Sequence, residues 1–359
     1  MELHEPYELA GQPAGGWLDP APYLRGVAWL DSEGRPVRAD PDDVMRLPWD
    51  TGERAALPIG MRIEFLARGA TAVELRYRAR VPAEGEALHD LAHTFALWQG
   101  EECLTETTVT PHEEGHVRIQ LPRSTGSFTI HPPESQAPVV VGVRGVGGAI
   151  EPVGRRPRWL VHGDSITEGW WSTRPAHSWP AVAGRRLGLD TVNLGYAGGG
   201  RGELAIAEQL ARLPADVLTL AFGTNCWSAP FSVPLMYETL LAFVRLVRQG
   251  HPTTPLLLVS PLLHPEAEET PNALGATLTE LRTALEDAAR TLMAEGDGHL
   301  RLLLGHGLLT PDHLADGLHP TDEGHALLGA AVAEALAPYV PEPPREDSRG
   351  LRAVRRERG

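Results

Sequence analysis

The chain of 359 residues contains two cysteines, Cys103 and Cys226. That is too few for a disulfide framework, and it suits a reducing cytosol, so a cytoplasmic location is expected. Positive charge is also in short supply. Lys and Arg together number 32 against 47 Asp and Glu, a formal charge of -15. Such a surface disfavours phosphate backbones and anionic membrane faces, so neither nucleic acid nor a membrane is expected as a partner. No stretch approaches the roughly 18 apolar residues of a membrane span. The segment Met1 to Pro6 lacks a basic start followed by an apolar run, so no secretory signal is read there. Lysine is absent, all 32 of these basic side chains being arginine, and Gly and Pro number 38 and 32; these look like coding bias and carry no functional weight. No internal repeat is found.

What is present divides into two rhythms, and the length favours two domains over a single core. Arg62 to Phe65, Val73 to Arg78, Val117 to Leu121 and Ser127 to His131 alternate apolar with polar, the period of half-buried strands. Val139 to Val143 reads as a buried strand. Turn signals at Pro82 to Gly85 and Pro122 to Gly126 separate them. Residues 1–152 are therefore expected to form an all-β, jelly-roll-like antiparallel sandwich. From Trp159 apolar strands alternate with amphipathic helices. Strands are predicted at Trp159 to His162, Thr191 to Leu194, Val217 to Phe222, Leu256 to Ser260 and Leu300 to Leu304. Helices are predicted near 178–187, 202–213, 233–249, 272–295 and 322–337. That alternation predicts an α/β domain over 153–340, a parallel sheet covered on both faces. Residues 341–359, rich in Arg, Glu and Pro, are expected to be a disordered tail.

The chemistry concentrates at predicted strand ends, where parallel sheets collect their reactive groups. Gly163-Asp164-Ser165-Ile166-Thr167 follows the first strand of the second domain, and Asp316-Gly317-Leu318-His319-Pro320 follows the last. Together they offer a hydroxyl, an imidazole and a carboxylate, the set that makes a serine nucleophilic. Taken alone, Asp164 and Ser165 equally suit the start of a helix. Between them, Asn193 to Gly200 ends in a glycine run that can aim backbone N–H groups at a ligand, or simply turn. Asn225, in Phe222-Gly223-Thr224-Asn225, can donate its amide to an oxyanion, or cap a turn. Trp170, Trp171, Trp179 and Trp227 crowd these segments and fit either a pocket wall or a core. His313, Asp316, His319, Asp322 and His325 form a rival metal-ligand cluster, though without an H-E-x-x-H spacing. Cys226 fits a buried thiol better than a nucleophile.

In this order the segments resemble the SGNH or GDSL serine hydrolases, over roughly residues 157–338. Ser165 matches the first block's serine, Gly198 the second block's glycine, Asn225 the third block's asparagine, and Asp316 with His319 the fifth block. The resemblance implies a flavodoxin-like doubly wound sheet and a catalytic triad of Ser165, His319 and Asp316. It further implies an oxyanion hole made by the Ser165 N–H, the Gly198 N–H and the Asn225 amide. Ile166 stands where many members have leucine and Cys226 where many have aspartate. An N-terminal sandwich ahead of such a domain is similar to certain carbohydrate acetyl esterases and to acyltransferases that tailor polyketides. The stretches Tyr23 to Trp29 and Pro58 to Arg62 look more like the second group. The expected activity is a serine esterase cleaving a small-molecule or carbohydrate ester, with Trp170, Trp171 and Trp227 against the substrate and neither cofactor nor metal. Acyl transfer to an alcohol is the close alternative. A carbohydrate-binding or scaffold protein with an inactive hydrolase domain is the alternative of another class.

Overall fold

The structure is a computed structural model and describes residues 16–79, 93–110 and 112–341. The expectations for Met1 to Pro6, for the Pro82 to Gly85 turn and for the tail after Pro341 lie outside the described residues. Among the described residues no helix is long and apolar enough to cross a membrane.

The first half opens with three short strands, β1 (Leu24–Arg25), β2 (Trp29–Leu30) and β3 (Pro36–Val37), and a short helix α1 (Trp49–Ala55) of about two turns. Then come β4 (Arg62–Arg68), β5 (Ala72–Arg78), β6 (Thr94–Gln99), β7 (Glu102–Thr108), β8 (Glu114–Gln120), β9 (Thr125–His131), β10 (Val139–Val146) and β11 (Ala149–Pro152). One antiparallel sheet runs β1-β4-β9-β6-β7 with β11 also on β4, and a second runs β10-β5-β8. Period-2 alternation turns Ile63, Phe65 and Ala67 of β4 toward the same core as Val73, Leu75 and Tyr77 of β5, which is what makes two sheets a sandwich. Phe65 lies opposite Phe128, their rings stacked at 5.7 Å.

The second half contains β12 (Arg158–Gly163), α2 (Ser165–Glu168), α3 (Trp179–Leu187), β13 (Asp190–Gly195), α4 (Leu204–Arg212), β14 (Val217–Ala221), α5 (Asn225–Ser228), α6 (Val233–Gly250), β15 (Leu256–Val259), α7 (Leu278–Ala294), β16 (Leu300–Leu303) and α8 (Asp322–Leu336). The parallel sheet has the order β13-β12-β14-β15-β16, the doubly wound flavodoxin-like arrangement. Leu160, Leu218 and Leu258 face a core with α4, α6 and α7, while Trp159, Val161 and Leu257 face the opposite core with α3 and α8. Burial on both faces explains the nearly continuous apolar runs of these strands. The helix expected near 272 begins later, at Leu278. Asn272 folds the chain into a turn, its Oδ1 accepting from Leu274 and Ala276 N–H, and Thr277 with Glu280 closes a capping box that fixes the start.

Ala39, Leu47 and Ala55 lie between the sandwich strands β1 and β4 in sequence, yet they pack in the core that holds Val192, Leu194 and Tyr196 of the parallel-sheet half. The segment carrying α1 thus leaves the sandwich and lies on the other half of the molecule.

Candidate active site

The register of the sheet ends β12, β13 and β14 level with one another: Gly163 pairs with Gly195 and with Ala221. The loops that follow are thereby brought over one crevice, at the point where strand order reverses. Gly195 has to be glycine, because a Cβ there would lie 2.3 Å from Glu168 N. The Asp164 side chain caps α2, its Oδ1 accepting from Ile166 N–H at 3.0 Å. Burial drives that carboxyl up to about 7 despite the cap bonds. Asp164 thus caps the helix, and Ser165 is its first residue.

Ser165 Oγ lies 2.9 Å from His319 Nε2, and His319 Nδ1 lies 2.7 Å from Asp316 Oδ2. Asp316 Oδ1 accepts from the backbone N–H of Leu318 at 3.0 Å and of His319 at 2.8 Å. Burial would raise the Asp316 carboxyl, but these bonds outweigh it and hold the group below its ordinary value. The loop itself is pinned: Ala315 N–H donates to His319 O and Thr321 N–H to His313 O, both at 2.8 Å. Gly317 has φ of 85°, a left-handed turn that glycine adopts without strain.

Among the described residues, no protein acceptor takes the N–H groups of Ser165 and Gly198, and Gly198 sits at φ 76°. Asn225 gives one amide hydrogen to Gly199 O at 2.8 Å, which fixes the side chain and leaves its second hydrogen. The three donors named by sequence therefore lie on the loops after β12, β13 and β14.

The tryptophans separate. Trp170 lies over His319, ring centroids 5.6 Å apart and planes 30° apart. Trp227, two residues beyond Asn225, donates Nε1–H to Thr270 O at 2.8 Å and meets His264 edge-on at 5.3 Å. Trp171 is 41% exposed and takes φ of 66°, a conformation that costs a non-glycine residue energy and so marks local constraint. Trp179 is core, packed against Trp159 at 6.0 Å. The His/Asp cluster also separates. His325 accepts from Trp179 N–H at 3.3 Å and donates to Trp170 O at 2.9 Å, and burial lowers it to about 4. Asp322 pairs with His177 at 3.0 Å, and His313 Nδ1 accepts from Thr310 N–H at 3.1 Å. Cys226 is buried, and burial pushes its thiol up, away from a thiolate.

Sequence reasoning missed the groups behind this site. His325 fixes the backbone of Trp170. Glu168, in the same short helix as Ser165, is buried against Arg38 at 3.0 Å and Arg54 at 2.6 Å. No local signal marks them, because the partners stand 130 and 114 positions apart.

Residues 161–327 match the model of the GDSL-like lipase/acylhydrolase family. No curated protein matches the chain. Among solved structures, a salicylyl-acyltransferase from a tetracycline biosynthetic pathway is 24% identical, with a TM-score of 0.78 over 90% of this chain and 97% of that one. A family two carbohydrate esterase from Cellvibrio japonicus is 14% identical, TM-score 0.61, over 90% and 97%. Another from Clostridium thermocellum, solved with cellohexaose, is 14% identical, TM-score 0.59, over 77% and 91%. These likenesses extend across both halves of the fold. Over residues 161–327 the parallel-sheet half of this chain is similar to the GDSL-like lipase/acylhydrolase family.

Proposed function

We propose that the protein is a serine ester hydrolase that works through an acyl-enzyme on Ser165. The observation that carries this reading is the unbroken chain from Ser165 Oγ to His319 at 2.9 Å and on to Asp316 at 2.7 Å. Ser165 Oγ attacks the ester carbonyl while His319 Nε2 takes its proton, and Asp316 fixes the tautomer and steadies the imidazolium. The N–H groups of Ser165 and Gly198 and the free Asn225 hydrogen receive the oxyanion. His319 then returns the proton to the departing alcohol, and water attacks the acyl-enzyme by the same route. Trp170 and Trp227 are assigned to the pocket walls, and Trp171 to its rim. The substrate is a small-molecule or carbohydrate ester. Two free thiols support a cytoplasmic location. The likeness along 90% of the chain to a salicylyl-acyltransferase favours one second reading, in which an alcohol replaces water at the acyl-enzyme.

Turnover of p-nitrophenyl esters by wild type and Ser165→Ala tests the assignment, with added alcohols as competing acceptors. Near-complete loss in a variant that melts like wild type is expected, and wild-type turnover in that variant would overturn the assignment. A transesterified product forming faster than free acid would favour transfer over hydrolysis.

A further inference from the structure

Glu168 is almost wholly enclosed, and its two oxygens serve two tasks that meet at Arg54, whose Nε lies 3.2 Å from Oε2 as well. Oε2 accepts the N–H of Ala197 at 2.6 Å, the residue immediately before Gly198. Oε1 accepts from Arg38 Nη2 at 3.0 Å and from Arg54 Nη2 at 2.6 Å and Nε at 3.0 Å. Arg38 also donates to Gly195 O at the end of β13 and to Leu57 O. Arg54 has a second contact: its guanidinium lies 5.7 Å from the ring centroid of Trp170, the ring that stacks on His319. Both arginines come from the N-terminal segment around α1. That segment is seated on the glycine loop, with Thr51 Oγ1 only 2.9 Å from where a Gly199 Cβ would stand and Asp50 paired to Arg201 at 3.0 Å.

Buried ion pairs are weak devices for stability, since desolvation consumes most of their attraction and an apolar replacement serves as well. Their better-attested use is to fix geometry, and a guanidinium fork suits that because its donors are rigid and planar. Here one carboxylate joins the helix that presents Ser165 to the loop that presents Gly198, and one guanidinium joins that carboxylate to the wall of His319. We infer that Arg54, together with Arg38 and acting through Glu168 and Trp170, is a positioning residue for the reaction. The N-terminal segment thereby completes the active site from outside the family domain. This inference rests on the acyl-enzyme reading.

The test uses the full chain with p-nitrophenyl acetate. Arg54→Ala should lower kcat by about 30- to 100-fold, the scale of a displacement near 1 Å, while KM moves by less than about 3-fold. The Arg54 side chain is 28% exposed, so its removal opens a slot to solvent, and millimolar guanidinium should restore about a tenth or more of the lost rate. A merely structural loss would not respond to guanidinium at that concentration. Glu168→Gln keeps an acceptor for Ala197 N–H but removes the charge, and it should lower kcat by about 10-fold; it serves as the test where Arg54→Ala fails to fold. A folded Arg54→Ala with wild-type kcat, a loss carried by KM alone, or no guanidinium response overturns the role. Wild-type protein that forms no covalent adduct at Ser165 strikes the acyl-enzyme reading itself, whereas normal labelling of wild type with an unaffected Arg54→Ala strikes only Arg54.

Discussion

The sandwich and the parallel sheet are each built on a hydrophobic core, but they use polar groups differently. In the sandwich an apolar core, with Phe65 against Phe128 and Tyr77 against Phe95 at 5.1 Å, is accompanied by buried carboxylates paired on its own strands, Glu74 with Arg144 at 2.7 Å and Glu64 with Arg62 at 2.8 Å. In the parallel-sheet half, buried polar groups gather at the carboxyl ends of the strands: Asp164, Ser165, Thr167, Glu168 and Asn193 are all buried there. The contact between the halves combines apolar packing with ionic ties. Arg62 of β4 reaches Asp190 of β13 at 3.2 Å and is held by Glu64 at 2.8 Å, while Arg38 and Arg54 reach Glu168. Charge held in a fixed place needs partners, and for Glu168 and Asp190 they come from the other half of the chain.

The largest effect should separate chemistry from scaffold. His319→Ala removes the proposed general base and should cut kcat by about 10,000-fold, roughly 5.5 kcal/mol of barrier, with the melting temperature nearly unchanged. Steady-state kinetics beside thermal melting checks this, and parallel losses of both would break the comparison. Phe65→Ala should do the opposite, costing about 3–5 kcal/mol of stability through the cavity it leaves, measured by denaturant unfolding, with kcat of the folded fraction retained. Asn225→Ala comes next. Loss of one oxyanion donor should lower kcat by about 100- to 1,000-fold with KM little moved. Equal change in kcat and KM would point to substrate binding instead.

The smallest effect is a pH dependence from His325. Burial lowers its folded value to about 4, below the ordinary 6.5 or so of the unfolded chain. Its contribution is therefore fully present above about 6.5 and is lost as pH falls through about 4, up to about 3 kcal/mol. Denaturant midpoints between pH 7 and 4 should fall in wild type, and His325→Asn should flatten that slope. An unchanged slope would remove His325 from the support of Trp170.

Of the side chains proposed for catalysis, Ser165 was legible because it follows a strand whose apolar run announces it, and Asp316 with His319 through their Asp-x-x-His spacing, well beyond the end of β16 at Leu303. Ser165 stands two residues beyond β12, and Asp316 and His319 share one pinned loop. The strands of the parallel sheet were legible for the same reason, being buried on both faces. The hairpin of β6 and β7 was not, because β7 is polar and largely exposed, so it lacks the alternation of a half-buried strand. Helix α1 was missed because it is seven residues long with Gly52 in its middle, a weak helix former. Packing against the glycine loop holds it. The Glu168 cluster was invisible for a different reason: a salt bridge across more than a hundred residues has no period, and nothing in Arg38 or Arg54 distinguishes them from the chain's many other arginines. Trp171 and Trp227 were named from their neighbourhood, and of the expected substrate tryptophans Trp170 is the one stacked on His319.

The most direct measurement is to treat the full-length wild-type protein briefly with a fluorophosphonate and locate the adduct by peptide mass mapping. The predicted result is a single adduct on Ser165, absent in Ser165→Ala and slowed in His319→Ala. An adduct on another residue, or full ester turnover with no adduct at all, would contradict it.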